Sequence, residues 1–236
     1  MPTDSPGAGE HHQIYGGLRE VTDEMERLRA SATAEVQRRS HKFWAEFEQK
    51  RDPQMLIAWF IPRCWREIDY VFMLGEEIRR YGLSFERRHI TALSKQLYQE
   101  AEHYESVGRI IERLGGNAPT EPPLSARPWS EFLWQCLDRH RLSAIAAWYM
   151  SETAATGTFE GIMDGGRRYE LPDVVRTYEG IIKDEKFHLG LGRVIIERYT
   201  ENADDVEEVM RSLRRMADLV TASHTAIDLY DDRVGG

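Results

Sequence analysis

Cysteine, positive charge and long apolar runs are all in short supply in this chain, and each shortage excludes something. Only two of its 236 residues are cysteine, Cys64 and Cys136, too few for a disulfide framework. Both fall in helical patterns and read as reduced, core-facing thiols of a cytoplasmic protein. Lys and Arg number 31 against 40 Asp and Glu, a net charge of -9 that argues against a nucleic-acid partner. No apolar stretch approaches the roughly 18 residues that a membrane span needs. The opening MPTDSPGAGEHH lacks the basic-then-apolar layout of a secretory signal. Strictly alternating apolar and polar runs are also rare, which removes the main signal for strands.

What is there is helical periodicity. Apolar residues recur at three- and four-residue intervals almost throughout, so the fold class is all-α. Residues 1–16 read as a flexible tail and 17–236 as a single helical domain, with a core bundle over about 55–200. The spacing predicts helices over about 18–50, 54–80 (Pro62 marking a kink or restart), 84–114 with Ser84 as N-cap, 130–163, 172–199 and 204–230. The one long linker, 115–128, is rich in proline: Pro119, Pro122, Pro123 and Pro128. Extended, it reaches about 46 Å, enough to run the length of a 30-residue helix of about 45 Å. Hairpin, long crossover, hairpin is the connection order of a four-helix bundle with one crossover.

Spacing of a few acids carries the functional signal. Glu100-x-x-His103 is repeated as Glu185-x-x-His188, and Glu67 precedes Glu100 by the same interval that separates Glu152 from Glu185. The two sets are therefore in one register, with a single step carrying Glu67 to Glu152, Glu100 to Glu185 and His103 to His188. A lone Glu-x-x-His is weak, for about one is expected by chance. Glu86-x-x-His89 is such a case: the same step from Glu86 lands on Leu171, and the pair reads as helix-end and surface residues. Facing is an independent test, because residues three, four and seven apart share a helix side. Glu67 has Phe60, Cys64, Tyr70, Val71 and Leu74 around it; Glu185 has Tyr178, Ile181, Ile182, His188 and Leu189. Glu100 and Glu152 lie in similar stripes, whereas Glu179, among Arg176, Lys183 and Lys186, reads as a solvated edge. Four carboxylates converging in a core would repel and desolvate at great cost unless cations offset them. Two divalent ions balance four glutamates, and oxygen-rich ligation with one nitrogen per ion suits iron or manganese better than zinc.

On these residues the chain resembles the ferritin-like diiron-carboxylate superfamily, whose hallmark is a Glu from each of two helices plus Glu-x-x-His from each of the other two. The resemblance implies a four-helix bundle with additional N- and C-terminal helices. It implies two iron ions (Mn/Fe or Mn/Mn as variants), bridged by Glu100 and Glu185, with Glu67 and Glu152 terminal and His103 and His188 completing the set. Asp184 would brace His103 from behind, while Gln99 departs from the family's acid at the matching place. Thr156, one turn after Glu152, falls where bacterial diiron hydroxylases carry a threonine near the oxygen site. Val107 stands where the small subunit of ribonucleotide reductase has its radical tyrosine, against that role. The implied activity is a non-haem diiron oxygenase or oxidase. It would take O2, a small-molecule or acyl substrate and an external electron donor, with no nucleic-acid or membrane partner, and a homodimer is allowed. Acyl desaturases and aldehyde-deformylating oxygenases are nearest by motif. A ferroxidase or peroxide-scavenging iron protein, and a dimanganese catalase, are the alternatives. The aromatic residues of 129–149 and the small ones of SETAATGTFEG would line a substrate cavity or simply pack.

Overall fold

The computed structural model describes residues 16–223, and every regular element among them is helical. The helices are α1 (Gly17–Lys50), α2 (Pro53–Tyr81), α3 (Arg87–Arg113), α4 (Arg127–Leu137), α5 (Ser143–Ala155), α6 (Phe159–Arg168), α7 (Pro172–Tyr199) and α8 (Ala203–Ser223). The fold is thus all-α, with helices added at both ends of the ligand-bearing region. Most of the proposed tail and the last residues of the final helix lie outside the described residues. No helix among the described residues is long and apolar enough to cross a membrane.

Local chemistry sets the boundaries. Arg51, in the left-handed region at φ 51°, ends α1, and the Asp52 carboxylate accepts from the Gln54 amide to start α2, with Pro53 at its first position. α2 runs unbroken through Pro62, so no restart occurs there. Ser84 is not the cap of α3. It closes a short 3₁₀ turn, its hydroxyl donating to the Tyr81 carbonyl, and Glu86 takes the capping position. His89 is not a surface residue either: it is buried, with Nδ1 2.8 Å from the Tyr199 hydroxyl.

The largest departure is the long helix expected over 130–163, which is three helices. α4 stops at Leu137, and residues 138–142 form a turn tied down elsewhere. Arg139 pairs with Glu208, His140 with Asp205, and Arg141 donates to the Tyr199 carbonyl. α5 follows, and all of its 13 residues are buried. It is enclosed by α1, α7 and α8, with α4 and α2 also against it. A 3₁₀ turn, Thr156–Thr158, then leads into α6. Trp129, Phe132, Trp148 and Tyr149 belong to the apolar core, which accounts for the aromatic load.

That core has two parts. One combines the first half of α1 and the second halves of α2 and α7 with α4, α5 and α8. The other combines the end of α1, the starts of α2 and α7, the end of α3, and α6. Both cysteines are buried and free. Between the two apolar parts lies a layer of acids and imidazoles.

Candidate metal centre

α2 contributes Glu67 to this layer, α3 contributes Glu100 and His103, α5 contributes Glu152, and α7 contributes Glu185 and His188. None of the six is more than 4 % exposed. Ligand atoms of Glu67, Glu100, His103 and Glu185 lie within 4.8 Å of one another, and so do those of Glu152, Glu185 and His188. The two sets share Glu185. Glu179 is exposed, as its charged neighbours require.

The imidazoles face the carboxylates through Nδ1. His103 Nδ1 is 3.4 Å from Glu100 and 3.7 Å from Glu67; His188 Nδ1 is 3.2 Å from Glu100 and 3.6 Å from Glu185. Their Nε2 atoms point to a second layer. Gln99 donates through Nε2 to Asp184 at 2.6 Å and presents its Oε1 to His188 Nε2 at 3.2 Å. Asp184 lies 3.5 Å from His103 Nε2. A carboxylate only accepts, so the Gln99 amide must turn its NH2 to Asp184 and its carbonyl to His188. That places the His188 proton on Nε2 and leaves the Nδ1 lone pair aimed at the glutamates; Asp184 biases His103 the same way. Lone pair against carboxylate is repulsive unless a proton or a cation lies between.

Hydrogen bonding within the chain does not relieve this. Glu67 Oε2, Glu100 Oε2, both oxygens of Glu152 and of Glu185, and Nδ1 of both histidines are buried without a hydrogen-bond partner among the described residues. Orphaned polar atoms at this density are foreign to ordinary cores. Proton affinities respond accordingly. Burial pushes Glu100 and Glu185 up to about 7, the charges of nearby glutamates adding to it. Burial and Glu185 push Glu152 well above the usual range. Burial alone would pull His103 down, but Glu100 and Glu67 bring it up to about 11. Glu67 goes the other way: burial raises it, yet Arg66 and His103 hold it down to about 2. The layer thus gathers positive charge as protons, and a cation would take their place. Oxygen-rich donors with bare imidazole nitrogens fit a metal ion.

Several neighbours escaped the sequence reading. Arg66 is buried and donates through Nη2 to Glu67 Oε1 at 3.2 Å. Gln96 donates to Glu100 Oε1 at 3.0 Å. Tyr70, which the sequence already places on the Glu67 face, is buried with its hydroxyl unpartnered among the described residues, and burial followed by the charge of Glu152 pushes it up. Arg63 and Gln96 each stand one helical turn before a site glutamate, the same-face spacing that would have flagged them. Thr156 stands half-buried at the C-terminal end of α5. Its hydroxyl donates to the Thr153 carbonyl at 2.7 Å, the ordinary use of a threonine at a helix end. The small residues beside it serve packing: a Cβ on Gly157 would collide with the Thr33 carbonyl of α1.

No protein-family model and no curated protein sequence matches the chain. Solved structures do. A CADD-like protein of unknown function from Nostoc punctiforme superposes with a TM-score of 0.67 at 12% identity, over 91% of this chain and 97% of the other. A TenA homologue from Pseudomonas syringae pv. tomato gives 0.59 at 13% identity, over 91% and 98%. This chain has the helical fold of those two proteins.

The ferritin-like assignment is therefore corrected. Four helices do bring the acids together, but one of them is the short, enclosed α5, in a bundle that α1 and α8 complete. The expected diiron oxygenase activity rested on that membership, as did the ferroxidase and catalase alternatives. It is withdrawn with it, since the proteins sharing the fold are a CADD-like protein of unknown function and a TenA homologue. What stands is an all-helical bundle with buried Glu and His groups that could hold metal.

Proposed function

We propose that this chain is a metal-dependent enzyme whose buried layer holds two divalent cations. Glu67, Glu100, His103 and Glu185 would hold one, and Glu152, Glu185 and His188 the other, with Glu100 reaching His188 as well. The observation that carries the reading is the set of bare imidazole Nδ1 atoms aimed at carboxylates that have no hydrogen-bond partner. Nitrogen and oxygen donors without thiolate suit iron or manganese by ligand type. Bound there, such ions would supply Lewis acidity or electron transfer in a site closed to bulk water. The chain's own residues fix the donors. Gln99 holds His188 by Nε2, Asp184 stands 3.5 Å from His103 Nε2, Gln96 positions Glu100, and Arg66 keeps Glu67 ionised.

Elemental analysis of the full chain, stripped and then reloaded with Fe(II), Mn(II) or Zn(II), tests this. About two ions per chain are expected with each metal, zinc included, because intrinsic affinity alone does not favour iron or manganese over zinc. Glu100→Ala, which removes a ligand facing both imidazoles, should lose most of that metal. Equal loading of wild type and variant, or none in either, would overturn the assignment.

A further inference from the structure

One buried cation stands just beyond the carboxylate layer with two of its three donor nitrogens unused. Arg63 of α2 is 4 % exposed, and its Nη1 donates to the Trp59 carbonyl at 2.5 Å. Its guanidinium carbon lies over the Trp59 indole, 3.5 Å from the ring centroid, and Phe43 stacks against that indole at 4.0 Å. The Trp59 carbonyl and ring together hold the group in place. Nε and Nη2 have no acceptor among the described residues. A structural buried arginine has its donors satisfied or its charge paired, because unpaired charge is costly.

The idle edge is chemically specific. Nε and Nη2 form the fork that takes a carboxylate by two parallel bonds. Elsewhere in this chain that edge does so: Arg27 holds Glu24, Arg38 holds Glu35 and Arg79 holds Glu76 through the same two nitrogens. Arg63 presents the fork with no carboxylate on it. We propose that Arg63 anchors the carboxylate of a small organic acid, the substrate of the site, one helical turn from Glu67.

Three further observations agree. One turn along α2 is about 6 Å, which puts the body of a small acid against the Glu67 end of the layer. Phe60 of α2 and Tyr178 of α7, buried rings 6.0 Å apart in the second apolar cluster, make the surroundings apolar and suit an apolar body. Charge balance points the same way. The layer's four carboxylates against Arg63 and Arg66 leave two negative charges, and two divalent cations would turn these into two positive ones. A loaded site therefore favours an anion, the part of this inference that rests on the metal reading. Burial pulls the Arg63 guanidinium down only to about 9, so it is positive at neutral pH. The fork itself fits a carboxylate or a phosphate, and the apolar surroundings favour the organic acid.

Calorimetric titration of the full metal-loaded chain with benzoate and octanoate, against benzamide and octanamide, tests the inference. Wild type should bind an acid and not its amide. Arg63→Met should weaken the acid about ten- to a hundredfold, with metal content unchanged. Arg63→Lys, which keeps the charge but not the fork, should recover only part, and with the acid–amide comparison it decides the matter should the Met variant not fold. Undiminished acid binding in Arg63→Met, equal binding of amide and acid, tighter binding of inorganic phosphate, or no acid binding at all would each overturn it. Arg63-dependent acid binding in a chain that takes up no metal would retain the anchor and remove the metal reading, so the two fail separately.

Discussion

Gln99 and Asp184 do more for the site than their sequence positions suggest. Each reaches across from its own helix toward the histidine of the other: Gln99 bonds His188, Asp184 comes within 3.5 Å of His103, and the bond between the two fixes the pair. Because the Gln99 amide can turn only one way beside a carboxylate, it dictates the His188 tautomer. Gln99→Leu or Asp184→Leu should weaken metal binding about 10–100-fold while leaving the helices intact, read by competition with a chelator and by circular dichroism. The six Glu and His residues were legible because two independent signals coincide on them, a repeated spacing and an apolar helix face. Arg66 was not, and Arg63 was marked only by its place one turn before Glu67. A buried arginine in one sequence looks like any helix arginine until the burial that strands its donors is seen.

At the level of the helices, α5 explains most of what the sequence reading missed. A helix enclosed on every side shows no amphipathic period, so SAIAAWYM merges with its neighbours into one continuous apolar run. The break before it contains neither Gly nor Pro; ion pairs from Arg139 and His140 to α8 end α4, and tertiary contacts of that kind leave no local mark. The close approach of α1 to the turn after α5 is bought with a missing side chain. Gly157→Ala should cost about 1–3 kcal/mol, since the added methyl meets α1 backbone at Thr33 and Gln37. Gly180→Ala, on the open face of α7 with nothing near, should instead gain about 0.5–1 kcal/mol from helix propensity. Urea unfolding midpoints of the two variants give the comparison. α1, α2, α3 and α7 were legible to within a few residues, as was the start of α8, because each has a wet face; α4 and α6 were absorbed with α5 into one helix.

For the whole molecule, the carboxylate layer divides one apolar core into two. Packing alone cannot recover the cost of that layer, so stability should depend on what fills it. At a hundredfold excess of metal over its Kd, linkage adds about 2.7 kcal/mol, and chelation should lower the melting temperature by roughly 5–10 °C. The Glu100→Ala variant should melt at one temperature with or without chelator. The architecture around the layer was only half legible. Ligand spacing requires four helical segments to converge, but it says nothing about which other helices enclose them, and here α1 and α8 do. Finally, the repeat is not perfect. Behind His103 stands a carboxylate and behind His188 an amide, so the two imidazoles differ as electron donors although the residues in front are alike in type. The two halves of the site therefore differ behind the histidines as well as in their carboxylates, and two like ions there would not behave as twins.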